Sequence, residues 1–487
     1  MKTKFKIALA AVFLVGGAVP LSAQTLYWDP GNNGTLGAGG VVGDWAPAGV
    51  SPSNWRLQTG PISPSGLVPI TSGLGAAQTW TASANAVFGN AGAPSGLGNE
   101  PGAVTLAGVG TYPIPVGTVT FDAPGYVILT TSTGRTFSAS SLVNNYATQI
   151  TLNSSTPGNA TFTATAITGA GTLTLNNTST AAANLLLRTG TSTSTPVQVS
   201  GGATGVLTGL VASADLTLTG NVTSNVANVA SANRTLLAAE PTKTLTIGAG
   251  STVSSLGVAT QIGTSSNTGT VAVNGGNIST PIDVAGGTLL VSTSITSTSV
   301  AVQSGATMTL GASNVLADAA SLTLSGGTFK ASGFTDTLGS LTLTANSVLD
   351  FAGSAATLTF ASIDVSGWTG NLAIWNWSQN IDHLIANAVS GFGVDPGTYD
   401  GLRTPKITFY TDSGVTPFSA VYNQGGWSAT GGQNFAGTTG LPGEIVPVPE
   451  PTAVLSLGLL LLAIGWKERR YFTRSRELSF GGGVAAI

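Results

Sequence analysis

Chemistry in this chain would have to come from a small set of side chains. Between residues 136 and 350 the acids are Asp215, Glu240, Asp283, Asp318, Asp336 and Asp350. On an elongated β scaffold, such acids set beside Lys or Arg on one face would cut acidic polysaccharides. Glycoside cleavage needs at least two carboxylates at matched positions. Asp283 occupies the outward position of "IDVAGG", and no neighbouring segment offers a second acid at the equivalent place. Asp382 and the single histidine, His383, place a carboxylate next to an imidazole, as in a base with its orienting group. Adjacent side chains on a strand point to opposite faces, however, and no nucleophile motif accompanies them. A structural or surface role is expected for His383.

Cysteine is absent, which excludes thiol nucleophiles, zinc–thiolate sites and disulfide frameworks. The glycine-rich stretches lack the lysine and the strand–helix context of a phosphate-binding loop. Calcium-binding nonapeptides of the Gly-Gly-x-Gly-x-Asp type are also missing from the sequence. The expectation is no catalytic residue, no metal and no cofactor. A polysaccharide lyase or hydrolase remains the competing enzyme reading, and it requires a groove holding two close carboxylates or a Lys/Arg–Asp set.

The elements that must position these residues are strands. Only 7% of the 487 residues are charged, yet 42% are hydrophobic and 67 are glycine. Apolar surface is therefore plentiful and simple disorder is not expected. A net charge of −3 and a pI near 5.1 provide no field for nucleic acid. From about 136 to 365 the chain reads as short Thr/Val/Leu alternations broken by Gly, Asn and Ser, the pattern of half-buried strands. The alternations repeat as "VAVNGG" at 271, "IDVAGG" at 282, "VAVQSG" at 300, "LTLSGG" at 322 and "LTLTAN" at 341. The earlier "LTLTGN" at 216 and "LTIGAG" at 245 fit the same template.

Each copy ends in a residue that tolerates positive φ: Asn221, Gly250, Gly276, Gly287, Gly305, Gly327 or Asn346. Copies from 282 onward recur at about 20 residues, the length of one solenoid coil. The fold class expected is all-β: a right-handed parallel β-helix over 136–365 with Thr and Ser outside. An antiparallel sandwich built from the same strands is the alternative.

An open solenoid end is an aggregation edge. The Trp/Gly-rich region 24–135 and the β-rich region 366–445 are expected to cap the two ends. The second region carries one short helix around 381–389. Trp28, Trp45, Trp55, Trp80, Trp368, Trp375 and Trp377 are expected as cap-core residues, because large aromatics dominate buried packing. A carbohydrate-binding adhesin would instead display them as an exposed row.

The termini differ from the rest. Lys2, Lys4 and Lys6 precede an apolar run over 7–19, and "PLSAQT" follows. This is the tripartite pattern of a secretory signal peptide, residues 1–23, cut between Ala23 and Gln24. It implies the Sec translocon and signal peptidase as partners. An uncleaved anchor is the alternative, though the run is short for a span.

Near the other end, "VPVPEPTAVLSLGLLLLAIGWKERRYFTRSR" occupies 446–476, with a tail at 477–487. Pro447, Pro449 and Pro451 keep the chain extended and remove backbone donors. Residues 452–466 follow as an apolar run of about 15 residues, roughly 22 Å as a helix. That is a short transmembrane helix, held by Lys467, Arg469, Arg470, Arg474 and Arg476 on the cytoplasmic side.

As an ordered set, Pro449-Glu450-Pro451, the apolar helix and the basic cluster resemble the PEP-CTERM sorting signal of Gram-negative envelopes. The resemblance implies an exosortase-like membrane protease that cleaves near the Pro-Glu-Pro. A plain tail anchor is the alternative. Segments such as "YWDPGNNGTLGAGGVVGDW", "GTVTFDAPGYVIL" and "LAIWNWSQNIDHLI" resemble autotransporter-associated β-strand repeat proteins. That resemblance implies a solenoid passenger, here followed by the sorting helix where autotransporters carry a translocating barrel. The function expected is a non-catalytic exported surface or matrix protein. It would be anchored in the inner membrane as a precursor and then placed in the cell envelope or outside, with exopolysaccharide as a possible partner.

Overall fold

The computed structural model describes residues 25–28, 43–44, 55–58, 74–78, 84–88, 103–105, 114–122, 125–130, 136–179, 183–190, 197–201, 207–224, 234–255, 258–352, 355–378, 381–394, 402–415, 417–422 and 443–448. Among them there are strands and turns but no helix. The strands form three sheets, of 18, 9 and 12 strands. Between the two ends, described strands alternate between the first and second sheets up to Val197–Gly201 and pass through all three from Leu207–Ala212 to Asn277–Ile278. Thereafter they alternate between the first and third, and strands stacked from one coil to the next are parallel. This is a parallel β-solenoid.

The repeats found in the sequence are its rungs. Ile282, Val300, Leu322 and Leu341 are successive register partners in the first sheet. The copies at 216, 245 and 271 belong to the third sheet, where Leu216, Leu245 and Val271 stack. That file continues through Leu289, Met308, Phe329, Leu349, Ile374 and Phe409. Every member is at most 2% exposed. Each fully buried side chain of this kind contributes about 1.5–3 kcal/mol, and a solenoid delivers that at every coil without needing charge.

Strand period explains why the outside is hydroxylic. Thr244, Thr270, Thr288, Thr307 and Thr328 are register partners one position before the apolar file, half-buried on the outer face. Earlier coils are longer, with Phe137, Phe162 and Leu187 stacked at about 25 residues per coil. They shorten after the second sheet ends at Asn277–Ile278. Parallel stacking is not confined to 136–365. It already joins Asn85–Phe88 to Ile114–Phe121 and continues to His383–Ala386.

Antiparallel strand pairing, among the described residues, falls at the two ends. Thr25–Trp28, Trp55–Gln58 and Leu74–Gln78 pair antiparallel at one end. At the other, Leu402–Tyr410, Pro417–Tyr422 and Ile445–Val448 do the same. The expected helix around 381–389 is not formed. His383–Ala386 is a strand whose Leu384 and Ala386 face the core with period two, paired to Thr357–Asp364.

The corners correct one expectation in detail. Gly250, Gly287 and Gly305 have positive φ as expected, but in the pairs Gly275-Gly276 and Gly326-Gly327 the left-handed residue is the first. Gly276 and Gly327 are required for a different reason. A Cβ on Gly327 would stand 2.5 Å from Val302 Cγ1 and 2.6 Å from the Gln303 carbonyl oxygen of the previous coil. Asn221 and Asn346 are not left-handed either. Their side-chain oxygens accept backbone N–H bonds from the following coil, from Thr252 at 2.8 Å and Asn371 at 2.9 Å.

Two substitutions separate these causes. At Gly305, φ is +78° and a Cβ would meet nothing within 4 Å. Gly305→Asn should therefore be nearly neutral, and Gly305→Ala should cost about 1–2 kcal/mol. At Gly327 both Asn and Ala should be equally damaging, since steric approach and not φ is the limit. Urea midpoints of the four variants check the ranking. In the core, Phe329→Ala should cost about 3–5 kcal/mol, while Thr328→Ala beside it stays within about 1 kcal/mol.

Candidate functional site

Most of the acids among the described residues hold a hydrogen bond or an ion pair. Arg188 pairs with Glu240 across the outer face of the first sheet. Asp283 accepts from Gln303 Nε2 at 2.7 Å and lies 3.9 Å from Arg234 Nε. Its register partners are Gln261 and Ala301, so no carboxylate stands above or below it. Asp215 accepts the Thr244 N–H at 2.9 Å. Asp350 accepts from Asn376 Nδ2 at 2.7 Å and lies 3.5 Å from Lys330.

Asp350 is buried, as are two further aspartates that hold turns. Asp336 accepts from the backbone N–H groups of Val315 and Leu316 at 3.1 Å and of Thr337 at 2.9 Å. Asp382 accepts from Ala356 at 3.1 Å and Ser378 at 2.7 Å. Burial pushes the pKa of both above the ordinary carboxylate value, against the lowering effect of those N–H bonds. The charge of Asp318 adds to the raising at Asp336, and the neighbouring His383 lowers Asp382.

Asp382 precedes the strand that begins at His383, and its carboxylate is taken up by the backbone N–H groups of Ala356 and Ser378. His383 Nδ1 instead meets Glu444 Oε1 at 2.7 Å, with the glutamate side chain 4% exposed. This pair joins the last rung of the first sheet to the segment entering Ile445–Val448. No spacing in the sequence announces it, because the partners lie 61 residues apart and meet only through the antiparallel return of the chain.

A shallow groove of about 220 Å³ is lined by Gly125, Tyr126, Val127, Ala147, Thr148, Gln149 and Thr174. Ligand pockets usually run to about 300–1,000 Å³ with convergent polar groups, and this groove holds no acid or base. Tyr126 has its hydroxyl buried without a partner, and burial pushes its pKa to about 12, so it stays protonated. No group of three metal-ligating side chains occurs among the described residues.

Trp368 and Trp377 are 3% exposed, and Trp377 packs edge-on against Phe351 and Phe409. Both are core residues, while Trp375 is half-buried on the outer face. The backbones of Trp28 and Trp55 are register partners. The expected signal-cleavage residues Ala23 and Gln24 lie outside the described residues. So do Pro449, Glu450 and Pro451, the run 452–466, and the cluster Lys467, Arg469, Arg470, Arg474 and Arg476. Among the described residues no helix is long and apolar enough to cross a membrane.

The raised aspartates make a signed pH prediction. A folded pKa above the unfolded one favours the folded state at acidic pH, and that contribution is lost as pH rises through the folded value. Asp336 should therefore add stability as pH falls from neutrality toward about 4, the unfolded value. In Asp336→Asn the N–H bonds are impaired at every pH, but this gain disappears. The stability difference between wild type and variant should widen on acidification, and a difference independent of pH would contradict the assignment.

No protein-family model matches the chain, and no curated protein or solved structure gives a significant match.

Proposed function

We propose that this protein is a non-catalytic, exported β-solenoid of the cell surface or extracellular matrix, acting as a spacer or adhesive rod. The observation that carries the reading is the outer surface. Glu240 and Asp283 pair with Arg188 and Arg234, Asp215 accepts a backbone N–H, and the register partners of Asp283 carry no carboxylate. A rod stabilised by inward apolar files has its outer face free for contact along its length. The burial of Trp368 and Trp377 weakens the alternative of an aromatic sugar-binding row.

Export through the Sec translocon and signal peptidase is supported by the sequence of residues 1–23. Retention and sorting are supported by the order of Pro449-Glu450-Pro451, the apolar run and the basic cluster, read by an exosortase-like membrane protease. The protein is then an inner-membrane precursor that ends in the envelope or outside it, where exopolysaccharide is the partner class such a rod would meet.

The three parts of the C-terminal signal should fail separately. Neutralising Arg469, Arg470, Arg474 and Arg476 removes the charges that resist translocation and should release full-length protein outward. Changing Pro449, Glu450 and Pro451 to Ala should leave the protein uncut in the inner membrane. Fractionation with the intact mass of the mature C-terminus decides: an Arg-containing terminus on the wild-type protein at its final location sinks the processing step. Turnover on a panel of acidic polysaccharides would overturn the non-catalytic reading.

A further inference from the structure

Where the chain leaves the cap places one end of the rod beside the membrane. Ile445–Val448 runs antiparallel to Pro417–Tyr422, with Val448 opposite Ser419. Val448 therefore ends near the start of Pro417–Tyr422, beside the turn 411–415 that leads into it. Only Pro449, Glu450 and Pro451 separate Val448 from the apolar run at Thr452. Four extended steps cover at most about 14 Å. If the run spans a bilayer, this edge of the cap is held within that distance of the membrane surface.

That edge carries exposed aliphatic side chains. Among the described residues the exposed large hydrophobics are Val415 at 80%, Ile381 at 51% and Tyr146 at 38%. Val415 and Ile381 sit on two turns that adjoin one another. The Asn376 N–H donates to the Asp412 carbonyl at 3.2 Å, and the Trp377 N–H donates to the Tyr410 carbonyl at 3.0 Å. Both turns are pinned by carboxylates. Asp412 Oδ1 accepts the Val415 N–H at 2.7 Å, and Asp382 Oδ2 accepts the Ser378 N–H at 2.7 Å. Scattered exposed aliphatics need no explanation, but two that adjoin one another where the chain runs into its apolar segment do.

We infer that Ile381–Asp382 and the turn 411–415 are the foot of the rod, and that Ile381 and Val415 insert into the headgroup–acyl boundary of the bilayer. The inference rests on the reading of 452–466 as a membrane span. An interfacial contact of this kind reaches about 5–10 Å into the boundary, which two aliphatic side chains on tight turns can match. It places the last coils of the rod against the membrane.

The absence of cysteine allows a direct test. Ile381→Cys, Val415→Cys, Tyr146→Cys and Leu459→Cys are each labelled with a fluorophore in the full-length protein. The labelled proteins are reconstituted into phosphatidylethanolamine/phosphatidylglycerol vesicles carrying a lipid-borne quencher. Quenching of roughly two-fold is expected at 381 and 415 for an interfacial depth, stronger quenching at 459, and none at 146. Quenching at 459 without quenching at 381 and 415 overturns the foot and keeps the span. Quenching at 381 and 415 but not at 459 keeps the foot and removes the span. Equal quenching at 146, 381 and 415 reports adsorption along the whole rod and overturns the inference, as does quenching at none of the four positions.

Discussion

Parallel stacking in register is the constraint on which everything else depends. One file runs Leu216, Leu245, Val271, Leu289, Met308, Phe329, Leu349, Ile374, Phe409, and each side chain rests on the one before. A slip of one residue would turn Phe329 outward and bring Thr328 in, because the side-chain period of a strand is two. Corner geometry protects that register. Left-handed glycines such as Gly305 reverse the chain, and Gly327 lets it lie directly on the backbone of the coil below.

A core of this kind leaves the charged residues with local tasks. Asp336 and Asp382 spend their oxygens on turn N–H groups, and the pairs Arg188–Glu240 and His383–Glu444 tie segments that are distant in sequence. A partly exposed pair such as Arg188–Glu240 contributes little, whereas a buried acceptor that loses its donors costs about 1–3 kcal/mol. The rod therefore owes its stability to files and corners, and its outer face is free to vary. Its ends are where the chain changes rule, from parallel rungs to antiparallel strands that offer no matching edge for a further coil.

Much of this was legible in the sequence, for a physical reason. Ile282, Val300, Leu322 and Leu341 share a register because solenoid coils repeat, and repetition leaves a trace even in one chain. Which glycine of a Gly-Gly pair turns left-handed left no such trace, since both are needed and only one for φ. Asn346 reads as a turn residue by type but works through its side-chain amide. The segment around His383 looked helical because it mixes Asp, Leu, Ile and Ala, and pairing with Thr357–Asp364 overrode that local preference. The His383–Glu444 contact was invisible, as are most pairings made by antiparallel returns over long separations. The sorting residues Pro449, Glu450 and Pro451 rest on their order alone.

The central claim is one rung per coil along a straight stack, and distances between spin labels test it most directly. The outer file Thr244, Thr270, Thr288, Thr307, Thr328, Val348, Ala373, Thr408 is half-buried and in register. With Thr244→Cys as the fixed partner, labels at Thr328, Val348, Ala373 and Thr408 should separate by about 4.8 Å more for each coil. A steady climb from roughly 19 Å to roughly 34 Å is the predicted result. Distances that stay level or fall back along the series, as in a sandwich of antiparallel sheets, would contradict it.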